Sequence, residues 1–138
     1  MQTFLPSPDF AICAAVLDTR RLGKQRLEAY QVLRVLRGES QGWRHHPAVK
    51  MWRGYEDALG LYLNAMIDEW ERRGFRNTMK RYPITQPLPS VPLPPWLGNP
   101  TLHASHRSNL LRKAPEHYSQ FGWSEPPTLP YYWPCGAD

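Results

Sequence analysis

The chain of 138 residues has only two cysteines, Cys13 and Cys135, one near each end. Two thiols can pair, but without a secretory leader they fit a reducing cytosol better than a disulfide framework. No run approaches about 18 uninterrupted apolar residues, and the first residues do not follow the basic-then-apolar layout of a signal. A soluble, cytoplasmic protein without a membrane partner is therefore expected. CxxC, HExxH, GxGxxG, Walker and GxSxG patterns are all absent. Zinc, nucleotide-dependent and serine-hydrolase chemistry thus lack their usual signatures, and neither metal nor cofactor is expected. There is no internal repeat.

Proline is abundant instead, at 15 residues, alongside six tryptophans. Proline at that density excludes a sheet-rich fold with many paired strands and one long uninterrupted bundle. Lysine and arginine number 17 against 12 acidic residues, a formal charge of +5, which favours a polyanionic partner.

The expected architecture is all-α: one domain over residues 1–138, with about three main helices, several short ones, a proline-rich connector and a C-terminal strap. Ser7-Pro8-Asp9 has the form of a helix start, with serine as cap, proline at the first helical position and a carboxylate in the first turn. Asp18-Thr19 restarts the chain into a helix in which Leu22, Ala29, Leu33 and Leu36 recur at helical spacing, with Gly38 as its stop. His46-Pro47 opens the longest periodic segment, with one apolar face from Ala48 through Trp70 to Arg73; Gly54 and Gly60 inside it mark a bend or a close approach. Residues 83–100 are too rich in proline for regular structure and read as an extended connector packed down by Trp96 and Leu97. Asn99-Pro100 starts a helix to about Lys113, Ala114-Pro115-Glu116 a short turn ending near Gly122, and Tyr131-Tyr132-Trp133 a strap across the core.

At about 100° per residue, Arg21, Lys24, Glu28 and Gln31 share one stripe of the second helix, beside its apolar face. Such a stripe is either the border of a cleft or a solvated face with Lys24–Glu28 pairing at i,i+4. The basic residues form three clusters: Arg20, Arg21, Lys24 and Arg26; Arg72, Arg73, Arg76, Lys80 and Arg81; Arg107, Arg112 and Lys113. With Trp43, Tyr82, Trp96 and Tyr118 nearby in sequence, they suit phosphate neutralisation and base stacking, and equally suit solvated helix ends. His103 and His106 lie three apart and His45 adjoins His46, too few ligands for zinc. A small-substrate hydrolase using these histidines with Glu28 is conceivable, but no spacing favours it.

Four segments together resemble a known family. They are Met1-Gln2-Thr3-Phe4-Leu5-Pro6, the Asp18-to-Gln31 helix with Leu22 and Glu28, Glu69-Trp70-Glu71-Arg72-Arg73-Gly74-Phe75, and Lys113-Ala114-Pro115-Glu116-His117-Tyr118 followed by Phe121-Gly122. The chain resembles the pyrimidine-dimer DNA glycosylases of the phage-type endonuclease V group. It is most similar to their bacterial relatives, through Arg21-Leu22-Gly23-Lys24-Gln25-Arg26, His46-Pro47-Ala48-Val49 and Ser105-His106-Arg107-Ser108.

The resemblance implies a small all-α, monomeric enzyme without metal or cofactor. It would bend damaged duplex DNA, attack the sugar with an N-terminal amine, and cleave the resulting abasic site by β-elimination through an imine. A glutamate on the first long helix is indispensable in the family, and Glu28 matches it by its six-residue offset from Leu22. Family members carry threonine directly after the initiator methionine. Here Gln2 intervenes, and a large second residue usually prevents methionine removal, so the expected nucleophile is the Met1 amine, with Lys24 as the fallback. Arginines that flank the family glutamate are replaced by Leu27 and Gln31. Expected DNA contacts are Arg21, Arg26, Gln31, His106, Arg107, Lys113, His117 and Tyr118. The alternative is a non-catalytic DNA-binding module of the same fold.

Overall fold

The computed structural model describes residues 1–134, so Cys135 lies outside the described residues. Six α-helices follow one another: α1 Phe10–Val16, α2 Thr19–Leu36, α3 Pro47–Lys50, α4 Glu56–Arg72, α5 Pro100–Lys113 and α6 Pro115–Tyr118. Short 3-10 turns occupy Leu88–Ser90 and Ser119–Phe121, and no strand occurs among the described residues. The fold is all-α, with α2, α4 and α5 as its three long helices. No helix is long and apolar enough to cross a membrane among the described residues.

Helix α1 begins two residues later than Ser7-Pro8 suggests. Asp9, extended at φ −95° and ψ 117°, is the cap, and its Oδ1 accepts from the amides of Ala11 and Ile12 at 2.9 and 3.2 Å. Ser7 Oγ instead accepts from Asp9 N, forming the turn before the helix. A carboxylate that meets two free amides is the stronger cap here. Asp18 caps α2, which ends at Arg37 with Gly38 at φ +78°. Asn99 and Pro100 start α5 in the expected cap-plus-proline form.

The segment from His46 to Arg73 is not one helix. Gly54 takes φ +87°, which ends the first part and turns the chain into α4. The turn between α3 and α4 drops Trp52 into the core with no exposed surface, where its indole N–H donates to Thr3 Oγ1 at 3.0 Å. On α4, a Cβ at Gly60 would overlap the ring of Tyr82. Asn64 brackets the same residue, donating to its carbonyl and accepting from its amide at 3.0 and 2.9 Å, so the connector is tied to α4. Trp96 donates to the Met51 carbonyl at 2.8 Å and packs the connector down as expected.

Helix α2 packs along α4, and α1 crosses α4. Leu22, Ala29, Leu33, Leu59, Leu63, Met66 and Ile67 meet between them in a single core. Each large apolar side chain fully buried there contributes roughly 1.5–3 kcal/mol. The basic residues at the end of α4 serve this frame. Arg73 reaches the carbonyls of Ala14, Ala15 and Leu17 at the end of α1 and pairs with the largely buried Glu69, while Arg81 pairs with Asp68 and Glu71.

Residues 2–6 thread through the core as an extended, buried segment. An unpaired strand inside a protein must find partners for its amides and carbonyls. Helices α2, α4 and α5 supply them. Phe4 N donates to Gln25 Oε1 at 2.8 Å, Tyr62 O–H donates to the Phe4 carbonyl at 2.8 Å, and Arg107 donates to the Pro6 carbonyl at 2.9 Å. The two histidines of α5 take both polar groups of Leu5: His106 Nδ1 accepts its amide at 2.8 Å, and His103 Nδ1 lies 2.7 Å from its carbonyl. Because His103 Nε2 accepts from Gly98 N, its Nδ1 carries the proton and donates to Leu5. The spacing that resembles a half-formed metal site is thus a clamp on the backbone.

Candidate active site

The threaded segment emerges where α2, the end of α5 and the C-terminal strap meet. Met1, Gln2, Arg20, Arg21, Lys24, Gln25, Glu28, Lys113 and Tyr131 line an open cleft there of about 420 Å³, with Phe4 at its base. Four cationic side chains therefore face one carboxylate. The α2 stripe from Arg21 to Glu28 borders a cleft, and no ion pair joins Lys24 to Glu28 among the described residues. Glu28 instead accepts from Gln25 Nε2 at 2.7 Å. Gln25, itself 1% exposed, also donates to the Gln2 carbonyl at 3.0 Å and accepts from Tyr62 O–H at 2.7 Å. One side chain thereby fixes both the carboxylate and the start of the chain.

Electrostatics of the cleft are dominated by its cations. Lys113 is held below the ordinary lysine range, first by desolvation and then by the charges of Arg112, Arg21 and Lys24. Arg21 is oriented by Asp18 at 3.2 Å. Asp18 is in turn held below the ordinary carboxylate range: burial opposes this, but hydrogen bonds from Tyr118 and Arg21 outweigh it. A second, smaller hollow of about 250 Å³ adjoins the first. Gln31, Arg34, Val35, Ser40, Gly42 and Trp43 line it, and Met1 borders both.

A model of the pyrimidine dimer DNA glycosylase family matches residues 1–83. The chain belongs to that family. Its members are DNA-repair glycosylases, and the match carries the N-terminal segment, all of α2 and all of α4. Lys113 and Tyr131 enter the cleft from beyond the matched residues. Neither the curated proteins nor the solved structures contain a match to this chain.

The other residues expected at a DNA surface are placed differently. Arg26 turns to the opposite side of α2, with its guanidinium 4.2 Å from the centre of the Trp70 ring and a 2.8 Å bond to Asn77 Oδ1. Arg107 makes two parallel bonds to Glu125, at 2.9 and 2.8 Å, besides its bond to Pro6. His106 and Tyr118 have no exposed surface, so neither can touch a duplex as the protein stands. Burial and the nearby His103 push the His106 imidazole down to about 3. Tyr118 donates to Asp18, and His117 bonds the Val16 carbonyl at 2.9 Å. These five residues are spent on the frame because the helices they bind have open ends that need partners.

Four cleft residues escape the stripe of α2 as read from sequence. Gln25 precedes Glu28 by one turn, and a glutamine on the core-facing side of a helix is a signal that it bonds something buried. Gln2 sits beside Met1, and its Nε2 is buried without a partner among the described residues. Arg20 is recognisable only as one cation of a cluster. Tyr131 belongs to the strap, packing its ring 5.6 Å from that of His106 while bordering the cleft.

Proposed function

We propose that the cleft carries out DNA glycosylase and abasic-site lyase chemistry on damaged duplex DNA, with the Met1 α-amine as nucleophile. The supporting observation is that Met1 and Glu28 line one cleft whose other charged groups are Arg20, Arg21, Lys24 and Lys113. An α-amine has an ordinary pKa near 7.7–8.0 against about 10.4 for lysine, so far more of it is a free base at neutral pH. Its lone pair attacks the anomeric carbon, and the damaged base leaves with the glycosidic electron pair and takes up a proton. The nitrogen loses a proton and the sugar ring opens, giving a protonated imine. Loss of the C2′ proton then expels the 3′ phosphate, and water releases the amine. Glu28 stabilises the positive charge on sugar and imine and carries protons between these steps. The cations hold phosphates on either side of the reacting nucleotide, offsetting the cost of distorting the duplex. The protein acts as a monomer and a single domain.

The test is trapping. Untagged protein is incubated with an abasic-site duplex and borohydride, which reduces an imine to a stable secondary amine. A covalent adduct is expected, lost when residues are added ahead of Met1 and kept in Lys24→Ala and Lys113→Ala. Intact mass of the same sample reports whether Met1 is present. No adduct sinks the imine mechanism, and tight DNA binding without one would leave a non-catalytic binding module.

A further inference from the structure

Trp43 lies in the loop between α2 and α3 and is 60% exposed, the second most exposed of the large hydrophobic side chains. It is also the one non-glycine residue among those described with a positive φ, at 65°. Both facts run against folding. An indole left in water gains little from burial, and the left-handed region is disfavoured for a bulky residue. Glycine or asparagine would serve this turn better, and Gly42 stands next to it. The ring is nonetheless braced. His46 meets it edge to face at 5.6 Å, Trp133 meets His46 at 5.7 Å, and the Trp43 carbonyl accepts from His46 N at 2.8 Å. Burial, and then the positive charge of the Met1 amine, hold His46 below its ordinary range, so the brace is a neutral aromatic ring.

Position gives the strained, exposed indole a use. Trp43 and Arg34 line the hollow that Met1 shares with the main cleft, and Arg44 and Arg53 lie on the other side of the loop. A large π surface ringed by cations, next to a site for DNA, is the arrangement that takes a nucleobase by its face while the cations take the backbone. We infer that Trp43 is a base-stacking residue, which receives an unpaired nucleobase displaced from the duplex beside the Met1–Glu28 cleft. The inference rests on the DNA reading of that cleft. Trp43 takes no part in bond making, so its role is in binding and positioning.

The experiment compares binding of the intact protein to three duplexes: fully paired, carrying a single-nucleotide bulge, and carrying the same bulge without its base. Wild type is expected to prefer the bulge by about tenfold or more, the scale of one base–aromatic stack, and to lose that preference when the bulged base is absent. Trp43→Ala and Trp43→Gly should bind all three alike, and Trp43→Phe should keep most of the preference. Trp43→Gly suits the backbone of the turn, so its melting temperature should not fall below that of wild type. Preference kept in Trp43→Ala, or absent in a wild type that still traps on an abasic duplex, overturns the stacking role alone. A wild type that neither traps nor binds any duplex overturns the DNA reading as well.

Discussion

Gln25 donates from Nε2 to Glu28 Oε2 at 2.7 Å, one helical turn apart on α2, and this bond joins the candidate carboxylate to the start of the chain. The same nitrogen holds the Gln2 carbonyl, and the opposite oxygen holds Phe4 N. Replacing Gln25 by methionine keeps the volume and removes every one of these bonds. Two buried backbone groups then lose their partners, at about 1–3 kcal/mol each. Urea unfolding should show a loss of about 2–4 kcal/mol, with cleavage reduced further than stability explains because Met1 is no longer fixed. Unchanged cleavage in a destabilised Gln25→Met would separate the hydrogen-bond hub from the chemistry.

Glu28→Gln preserves shape and the capacity to accept from Gln25 while deleting the negative charge. Cleavage of an abasic duplex should fall by about a hundredfold or more, the usual scale for a positioned acid/base or charge-stabilising group. DNA affinity should hold or rise slightly, since the cleft loses its one carboxylate among four cations. Gel-based strand cleavage and a binding titration on the same sample check the two halves. Retained cleavage removes Glu28 from its proposed role.

Stability should fall with pH well above the carboxylate range, because of His106. Its folded pKa is about 3, set first by burial and then by His103, against an ordinary value near 6.5. The unfolded chain therefore binds the proton more readily between those values. The stability contributed by neutral His106 is complete above about pH 6.5 and is lost as pH falls toward 3, at up to ~1.4 kcal/mol per pH unit. His103 and His46 are also lowered and add in the same direction, whereas the lowered carboxylates Asp18, Glu69 and Glu125 act below about pH 4. Asparagine at 106 can still accept from Leu5 N and does not titrate. Urea midpoints at pH 7 and pH 5 should differ less for His106→Asn than for wild type; equal differences would remove His106 as the source.

The helices were legible because their signals are local. Asn99-Pro100 starts α5 and Gly38 stops α2 with few competing partners, and the α2 stripe follows from periodicity alone. What periodicity cannot show is which basic residues already have partners. Arg21 and Arg26 look equivalent in sequence, yet one borders the cleft and the other lies on Trp70, five residues and about 140° of helix apart. The break at Gly54 was equally hidden, since Met51 and Trp52 continue the apolar pattern of α4 while filling the core from a turn. His103 and His106 were illegible for another reason: their partner, the backbone of Leu5, is distant in sequence and has no side-chain signature.

That division of the basic residues gives the sharpest test of where DNA lies. Each phosphate neutralised contributes about 0.9 to the slope of log affinity against log salt. Lys24 and Lys113 line the cleft with exposed side chains, so Lys24→Ala and Lys113→Ala should each lower the slope by about one and weaken binding alike on any sequence. Arg107 carries the same charge but faces Glu125 and the Pro6 carbonyl. Arg107→Ala should leave the slope unchanged and instead cost about 2 kcal/mol of stability, because it leaves Glu125 without its cation and a buried carbonyl without its donor. Binding titrations across a salt series, with urea unfolding of the same variants, measure both. A reduced slope in Arg107→Ala would move the duplex across α5 and away from Met1, and the amine could then no longer reach the sugar.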